Sequence, residues 1–145
     1  MVTIEVSVLT IGRLAAVCFD AAEARSAHPD ERREIQRHVE AGAAILDGST
    51  SDVLQVAREI VLSHHEWWDG NGYPARLRGE AIPVSGRVVA LADVFDALTH
   101  ERPYKTAWSV EDAVDEIHRQ AGRQFDPDGV GVFSRLDAKM LVMLR

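Results

Sequence analysis

Three histidines and one aspartate are the side chains of this sequence with the clearest capacity for chemistry. His38 lies in a segment whose apolar residues have helical spacing, and His64 and His65 are adjacent at the end of a second such segment. Asp93 falls within an apolar stretch, where a carboxylate is costly unless a cation or strong hydrogen-bond donors accompany it. Imidazole and carboxylate groups together are ligands that divalent transition metals prefer. The sequence therefore predicts a metal site formed by these four residues.

Each of these residues also has an ordinary structural explanation. A single histidine on an apolar face is more often a satisfied core residue than a ligand, and the doublet could interact with the dipole at a helix C-terminus. Asp93 could pair with an arginine such as Arg87 or Arg102. Adjacent helical residues point about 100° apart, so we do not expect His64 and His65 to hold the same ion. The two histidines could instead bind two neighbouring ions, or one could bind an ion while the other supports that ligand.

The remaining titratable groups are weaker candidates. Asp96 follows Asp93 by one helical turn, so the two carboxylates are expected on one face, and Asp96 is a candidate catalytic residue. The other histidines, His28, His100 and His118, are expected to face solvent.

The elements that must position these side chains are helices. Apolar residues recur at spacings of three and four in three segments, which predicts helices from Glu31 to about Asp47, from Ser51 or Asp52 towards Glu66, and from about Ser85 to Leu98. Inward faces are predicted to include Ile45 on the first helix, Val53 and Val56 on the second, and Val88 on the third.

Two further helices are predicted from the residues at their ends. Ser109 with Asp112 resembles a capping box for a fourth helix, which Gly122 ends, and Asp126-Pro127 begins a fifth. Residues 69–74 contain two turn dipeptides followed by proline, which predicts a compact loop. Clear period-two alternation is confined to residues 3–8, too short for a sheet. The predicted fold class is all-α.

Composition limits what such a protein binds. A length of 145 residues with 46% hydrophobic and 27% charged positions predicts one domain over residues 1–145. The net charge of −7 argues against duplex nucleic acid as a partner but allows a small anion to bind where arginines or lysines converge. With one cysteine and no stretch suited to a signal peptide or membrane span, we expect a cytoplasmic protein without membrane partners.

Several longer motifs occur in order along the chain. They are His64-His65-Glu66, Asp69-Gly70-Asn71-Gly72-Tyr73-Pro74, Ile82-Pro83 with Arg87, Ala92 to Thr99, Arg102-Pro103-Tyr104-Lys105 and Phe125-Asp126-Pro127. Together they resemble the HD-GYP family, the helical metal-dependent phosphodiesterases of bacterial cyclic di-GMP signalling. The resemblance covers residues 11–133 and implies an HD-domain-like helical bundle, with residues 31–136 as the best-matching core.

The resemblance also implies roles for individual residues. His38, His64, His65 and Asp93 fall on metal-ligand positions, with iron, manganese or zinc as the implied metal. The substrate would be cyclic di-GMP or a related cyclic dinucleotide. Its contacts would come from Tyr73 with its neighbours Gly72 and Pro74, and from Arg102 and Lys105, which resemble the pair that binds phosphates.

The match fails at one place. The family has a His-Asp doublet before Ile-Gly-Lys, which supplies a terminal ligand and the carboxylate that bridges two metals. This chain has Leu9-Thr10 before Ile11-Gly12-Arg13, and neither replacement is a good ligand. Arg13 keeps the charge of the family lysine and is a second catalytic candidate. Without the bridging carboxylate we expect one ion at most at full occupancy.

Residues 1–30 are a divergent or partial N-terminal part, so the bundle is expected to be shortened. A second subunit or a partner signalling domain would then cover its core.

Three functions are compatible with these residues. A degenerate family member would bind metal and cyclic dinucleotide with weak or no hydrolysis. An active cyclic di-GMP phosphodiesterase and a non-catalytic dimerisation or scaffold module are the alternatives. The intact loop motifs and the replaced doublet favour the first.

Overall fold

The fold of the described residues, 29–101 and 106–136 of the computed structural model, is entirely helical apart from one isolated bridge between Ala121 and Phe125. Its α-helices are α1 (Pro29–Leu46), α2 (Asp52–Ser63), α3 (Val84–Thr99), α4 (Val110–Arg119) and α5 (Pro127–Phe133), and a 3-10 turn spans Gly79–Ala81. The predicted all-α class is confirmed. Within these residues, no helix has the length and apolarity needed to cross a bilayer.

Local side-chain chemistry sets the starts of α4 and α5. The Ser109 hydroxyl accepts a hydrogen bond from the Asp112 N–H at 3.0 Å, and the Asp126 carboxylate accepts one from the Asp128 N–H at 3.0 Å. Pro127 is the first residue of α5, where its missing N–H costs no helical hydrogen bond. Both helices begin where the sequence predicts them.

Helix α3 is the central element of the bundle. Its buried face packs against α4 and α5, and the core is completed by the segment between them. The buried members of this core are Leu91, Phe95, Leu98, Val110, Ala113, Ile117, Phe125 and Val130. The opposite face of α3 meets α2, which in turn packs against α1. The order α1, α2, α3 therefore places the first two predicted histidine segments side by side.

Helices α2 and α3 approach closely where α2 ends. A Cβ atom on Gly86 of α3 would lie only 2.1 Å from Ser63 Oγ and 2.8 Å from Ser63 Cβ. Glycine is therefore required at position 86 for the two backbones to meet at this distance. Because Ser63 directly precedes the histidine doublet, this contact fixes where the doublet leaves the helix.

Some predicted inward faces are wrong. Ile45 and Val53 are 80% and 75% exposed, and Val56 is also exposed. They lie in the last turn of α1 and the first two turns of α2, at the end of the hairpin remote from Ser63. Val88 of α3 is 58% exposed although it lies three residues before Leu91 and seven before Phe95, because the members of this core on the helix begin only at Leu91.

Candidate metal centre

The side chains of His38, His64 and His65 converge between α1 and the C-terminal end of α2. One ring nitrogen from each can be chosen so that all three lie within 4.8 Å of one another. The His65 Nε2 and His38 Nε2 atoms are 3.2 Å apart. Two nitrogens bound to one tetrahedral ion at about 2.05 Å are separated by about 3.3 Å. The three imidazoles therefore fit a single transition-metal ion.

The expectation that the two adjacent histidines do not hold the same ion rests on helical geometry that the structure does not show at this point. It assumed that α2 continues towards Glu66, whereas α2 ends at Ser63 and His64 is its C-cap. The Glu66 N–H donates to the Ser63 carbonyl at 3.0 Å, which marks a tight turn in place of another helical turn. As a result, the rings of His64 and His65 lie on the same side, with centroids 4.0 Å apart.

Helix α2 also orients the His64 ring. The Nδ1 atom of His64 is 3.0 Å from the carbonyl oxygens of both Ile60 and Val61. Carbonyl oxygens only accept hydrogen bonds, so this contact assigns the proton to Nδ1 and the lone pair to Nε2. Such a backbone contact fixes both the tautomer and the direction of a histidine ligand.

Burial keeps the doublet neutral. Desolvation, together with the smaller effects of the neighbouring His64 and His38, lowers the pKa of His65 to about 2. Desolvation is also the largest cause of the lowered pKa of His64, opposed by its hydrogen bonds to Ile60 and Val61. A neutral imidazole is the form that coordinates a metal, so protons do not compete with an ion for these nitrogens at neutral pH.

The loop predicted at residues 69–74 lies directly against the doublet. The Tyr73 ring stacks on the His65 ring at a centroid distance of 4.8 Å and an angle of 25°, and the Tyr73 N–H donates to the His65 carbonyl at 3.2 Å. A Cβ on Gly72 would lie 2.3 Å from the Trp67 nitrogen and 2.5 Å from the His65 oxygen. Only glycine allows this loop to lie on the backbone of residues 65–67.

Backbone hydrogen bonds tie the same loop to the segment before α5. The Trp68 N–H donates to the Gln124 carbonyl at 3.1 Å, and the Asp69 N–H donates to the Arg123 carbonyl at 2.9 Å. The Arg123 guanidinium lies over the Trp67 ring, 5.6 Å from its centroid. The segment beside the histidines is therefore held by residues 65–67 on one side and by residues 123–124 on the other.

Glu66 is a site residue whose role the sequence did not indicate. Its side chain is almost completely buried, and its carboxylate accepts the Ala75 N–H at 2.7 Å and the Leu77 N–H at 3.0 Å. Burial raises the pKa of Glu66, and the backbone amides of Ala75, Leu77 and Arg76 oppose that rise. The sequence signal available was a Glu directly after the doublet, but its partners are nine and eleven residues away.

The predicted carboxylates of α3 have different surroundings. Asp93 is half-buried on α3 and is not one of the three residues in the cluster of ligand atoms among the described residues. Asp96 is 60% exposed and its carboxylate lies 3.1 Å from His100 Nδ1. Arg87, an expected partner for Asp93, instead pairs with Asp126 at 2.7 Å. Asp96 thus lies at the surface of α3, next to His100.

The family model described as "HD domain" matches residues 17–129. The chain belongs to the HD domain family. Its motifs and named relatives identify it as an HD-GYP member, which confirms the resemblance predicted from the sequence. HD domains are metal-dependent, and the histidine cluster of this one could hold a metal ion.

Curated relatives of this HD domain are named as cyclic dinucleotide phosphodiesterases. The 3'3'-cGAMP-specific phosphodiesterase 2 of Vibrio cholerae is 53% identical over 93 residues, 64% of this chain and 18% of that protein. A cyclic di-GMP phosphodiesterase response regulator of Xanthomonas campestris is 47% identical over 111 residues, 77% and 29% of the two chains. A cyclic di-GMP phosphodiesterase of Thermotoga maritima is 41% identical over 117 residues, 81% and 32%.

A solved structure supports the same fold for this HD domain. The crystal structure of a cyclic GMP-AMP-specific phosphodiesterase of Vibrio cholerae aligns with a TM-score of 0.64 and 28% identity, covering 99% of this chain and 32% of that one. The chain therefore spans between about a fifth and a third of the length of the relatives it matches.

Five predicted site residues of the HD domain lie outside the described residues. They are Leu9, Thr10 and Arg13 at the positions of the replaced doublet and its lysine, and Arg102 and Lys105 of the basic loop. Their roles stay predictions from the sequence.

Proposed function

We propose that this HD domain binds a divalent transition metal and a cyclic dinucleotide, and hydrolyses the dinucleotide weakly or not at all. The observation that carries the proposal is the convergence of three imidazoles beside the Tyr73 loop. The relatives named for cyclic di-GMP and cGAMP support the class of ligand.

His38, His64 and His65 would hold the metal, with Asp93 as a candidate further ligand from α3. Iron, manganese and zinc all suit imidazole nitrogens. A divalent ion at such a site supplies Lewis-acid chemistry, because it acidifies water and neutralises charge on phosphate oxygens. The protein itself contributes imidazole ligands, a His64 ring fixed by the Ile60 and Val61 carbonyls, and a loop that limits access on one side.

The dinucleotide would bind across the loop of Gly72, Tyr73 and Pro74 and the basic loop that contains Arg102 and Lys105. A guanidinium fork and an ammonium group are suited to a doubly charged phosphodiester ring. This local cationic pair would let a domain with a net charge of −7 bind a dianion.

Weak or absent hydrolysis is proposed because Leu9 and Thr10 stand where the family has its His-Asp doublet. Two-metal phosphodiester hydrolysis needs two adjacent cations, and a bridging carboxylate reduces their mutual repulsion. A leucine and a neutral hydroxyl do not supply that charge. We therefore expect one ion at full occupancy.

Elemental analysis and product chromatography test the proposal together. After reconstitution with iron, manganese or zinc, the protein should carry about one ion per chain, bind cyclic di-GMP or cGAMP in calorimetry and form little product. Replacing Arg102 and Lys105 by alanine should abolish dinucleotide binding and leave the metal content unchanged. No bound metal, or equal dinucleotide affinity in this variant, would contradict the proposal.

An active phosphodiesterase is the second candidate, favoured by relatives of 41–53% identity that are named as such enzymes. Multiple turnovers by the unaltered protein would establish it. The variant Leu9→His with Thr10→Asp separates the two functions, because a degenerate site should gain a second metal and hydrolysis. A variant that binds the second metal without any gain in product would contradict our account of the doublet.

A further inference from the structure

Glu66 lies between the histidine doublet and the loop that covers it. It directly follows His65 in the chain, and its carboxylate receives the N–H groups of Ala75 and Leu77 on the far side of the loop. We propose that Glu66 is a positioning residue for the metal centre, because it holds the loop so that the Tyr73 ring stays stacked on His65. The consequence for metal binding rests on the proposed function above.

The backbone at residues 75–77 forms a receptor for this carboxylate. Arg76 has a φ of 56°, in the left-handed region, and lies between the two residues that donate to Glu66. A left-handed residue within a run of exposed N–H groups turns those groups towards one point, which makes a concave site for an anion. The carboxylate of Glu66 occupies that site with both oxygens, and hydrogen bonds to a charged acceptor are stronger than neutral ones.

The restraint passes from Ala75 to the Tyr73 ring over a short length of chain. Only Pro74 separates the two residues, and the Tyr73 N–H is itself bonded to the His65 carbonyl. On the other side, Gly72 lies against the backbone of residues 65–67 with no room for a Cβ. The stack on His65 is therefore restrained at Gly72, at the Tyr73 N–H and, through Glu66, at Ala75, so Glu66 supplies one of three restraints.

Ring-current shifts in the metal-free protein test the proposal independently of metal binding. Stacking by Tyr73 should shield the ring protons of His65 in NMR spectra of the wild type, and the Tyr73→Leu variant gives the unstacked value. We expect Glu66→Gln to move the His65 signals at least halfway towards that value. Glu59→Gln is the matched control. Glu59 is an exposed residue of α2 whose carboxylate accepts a hydrogen bond from the Ser85 hydroxyl of α3, so this variant should leave the His65 signals unchanged. A folded Glu66→Gln protein with wild-type His65 shifts would overturn the proposal.

Amide hydrogen exchange gives a test that needs no variant. The N–H groups of Ala75 and Leu77 should exchange at least tenfold more slowly than unprotected peptide groups, although Ala75 is exposed to solvent. Exchange of both at the unprotected rate would show that the carboxylate does not hold them, and would overturn the proposal.

Zinc affinity connects the residue to function. We expect Glu66→Gln to weaken zinc binding about tenfold, because substitution of residues that orient metal ligands commonly has an effect of this size. Glu59→Gln should have no effect. Unchanged zinc affinity in Glu66→Gln would contradict the inference. If the wild type bound none of zinc, iron and manganese, the proposed function would fail, and the His65 shifts would still decide the role of Glu66.

Discussion

The contact between Gly86 and Ser63 gives the sharpest prediction for stability. Substituting Gly86→Ala adds a Cβ that would lie 2.1 Å from Ser63 Oγ, 2.8 Å from Ser63 Cβ and 3.2 Å from its carbonyl carbon. A change of the Ser63 rotamer can relieve only the first of these contacts. It would also break the bond that Ser63 Oγ donates to the Glu59 carbonyl at 2.6 Å.

The expected free-energy change combines three effects. Overpacking of this kind costs about 1–3 kcal/mol, and loss of the Ser63 hydrogen bond costs about 1 kcal/mol. Alanine returns about 1 kcal/mol through its higher helix propensity. We therefore expect Gly86→Ala to lower the free energy of unfolding by about 1–3 kcal/mol.

Urea denaturation followed by circular dichroism measures this change, and Gly131→Ala is the matched control. Gly131 also lies in a helix, α5, but a Cβ there would have no atom of residues 29–101 or 106–136 within 4 Å. Gly131→Ala should raise the free energy of unfolding by about 0.5–1 kcal/mol. The double variant Ser63→Gly with Gly86→Ala should show a favourable coupling of about 1 kcal/mol, because it removes the Ser63 side chain. Equal effects of alanine at positions 86 and 131 would refute the close-contact argument.

Three further predictions concern charge and backbone conformation. Asp126→Asn should lower the free energy of unfolding measured in urea by about 2–3 kcal/mol, because the Arg87 side chain is only 17% exposed and would lose its anionic partner. A loss below about 0.5 kcal/mol would contradict the importance of this ion pair. Arg76→Gly should raise stability by about 0.5–1 kcal/mol, since its φ of 56° is strained for a side chain, and a loss of stability would argue against that backbone geometry. In metal-free protein, His65 stays neutral down to about pH 2, while the unfolded chain protonates it below about pH 6.5. Stability should therefore be greatest above pH 6.5 and fall by up to about 1.4 kcal/mol per pH unit below it, and a His65→Gln protein with the same pH dependence would contradict this assignment.

Helix starts and the fold class could be predicted because the signals are local. Ser109 and Asp126 cap their own helices through N–H groups two or three residues away, so the sequence contains both partners. The approach of His38 to the doublet also follows from helical spacing and short connections. These features need no knowledge of how distant parts of the chain pack.

The end of α2 could not be predicted in this way. Nothing near Ser63 breaks the helical pattern, and the helix ends where Gly86 crosses it and where the Tyr73 loop lies on the following backbone. The rings of His64 and His65 lie on the same side of the chain as a consequence of these tertiary contacts. The role of Glu66 was hidden for the same reason, because its donors become visible only when the loop is folded.

The two backbone bonds from Trp68 and Asp69 to Gln124 and Arg123 also bear on how the protein is made. They join positions more than fifty residues apart, and the ribosome adds residues in order at a limited rate. His38, His64 and His65 are therefore all synthesised before residues 123–124, whose carbonyl groups bind the segment beside them. On the proposed function, we expect stable metal binding to follow translation of that segment, so a competing ion would have access to the three histidines before the site is complete.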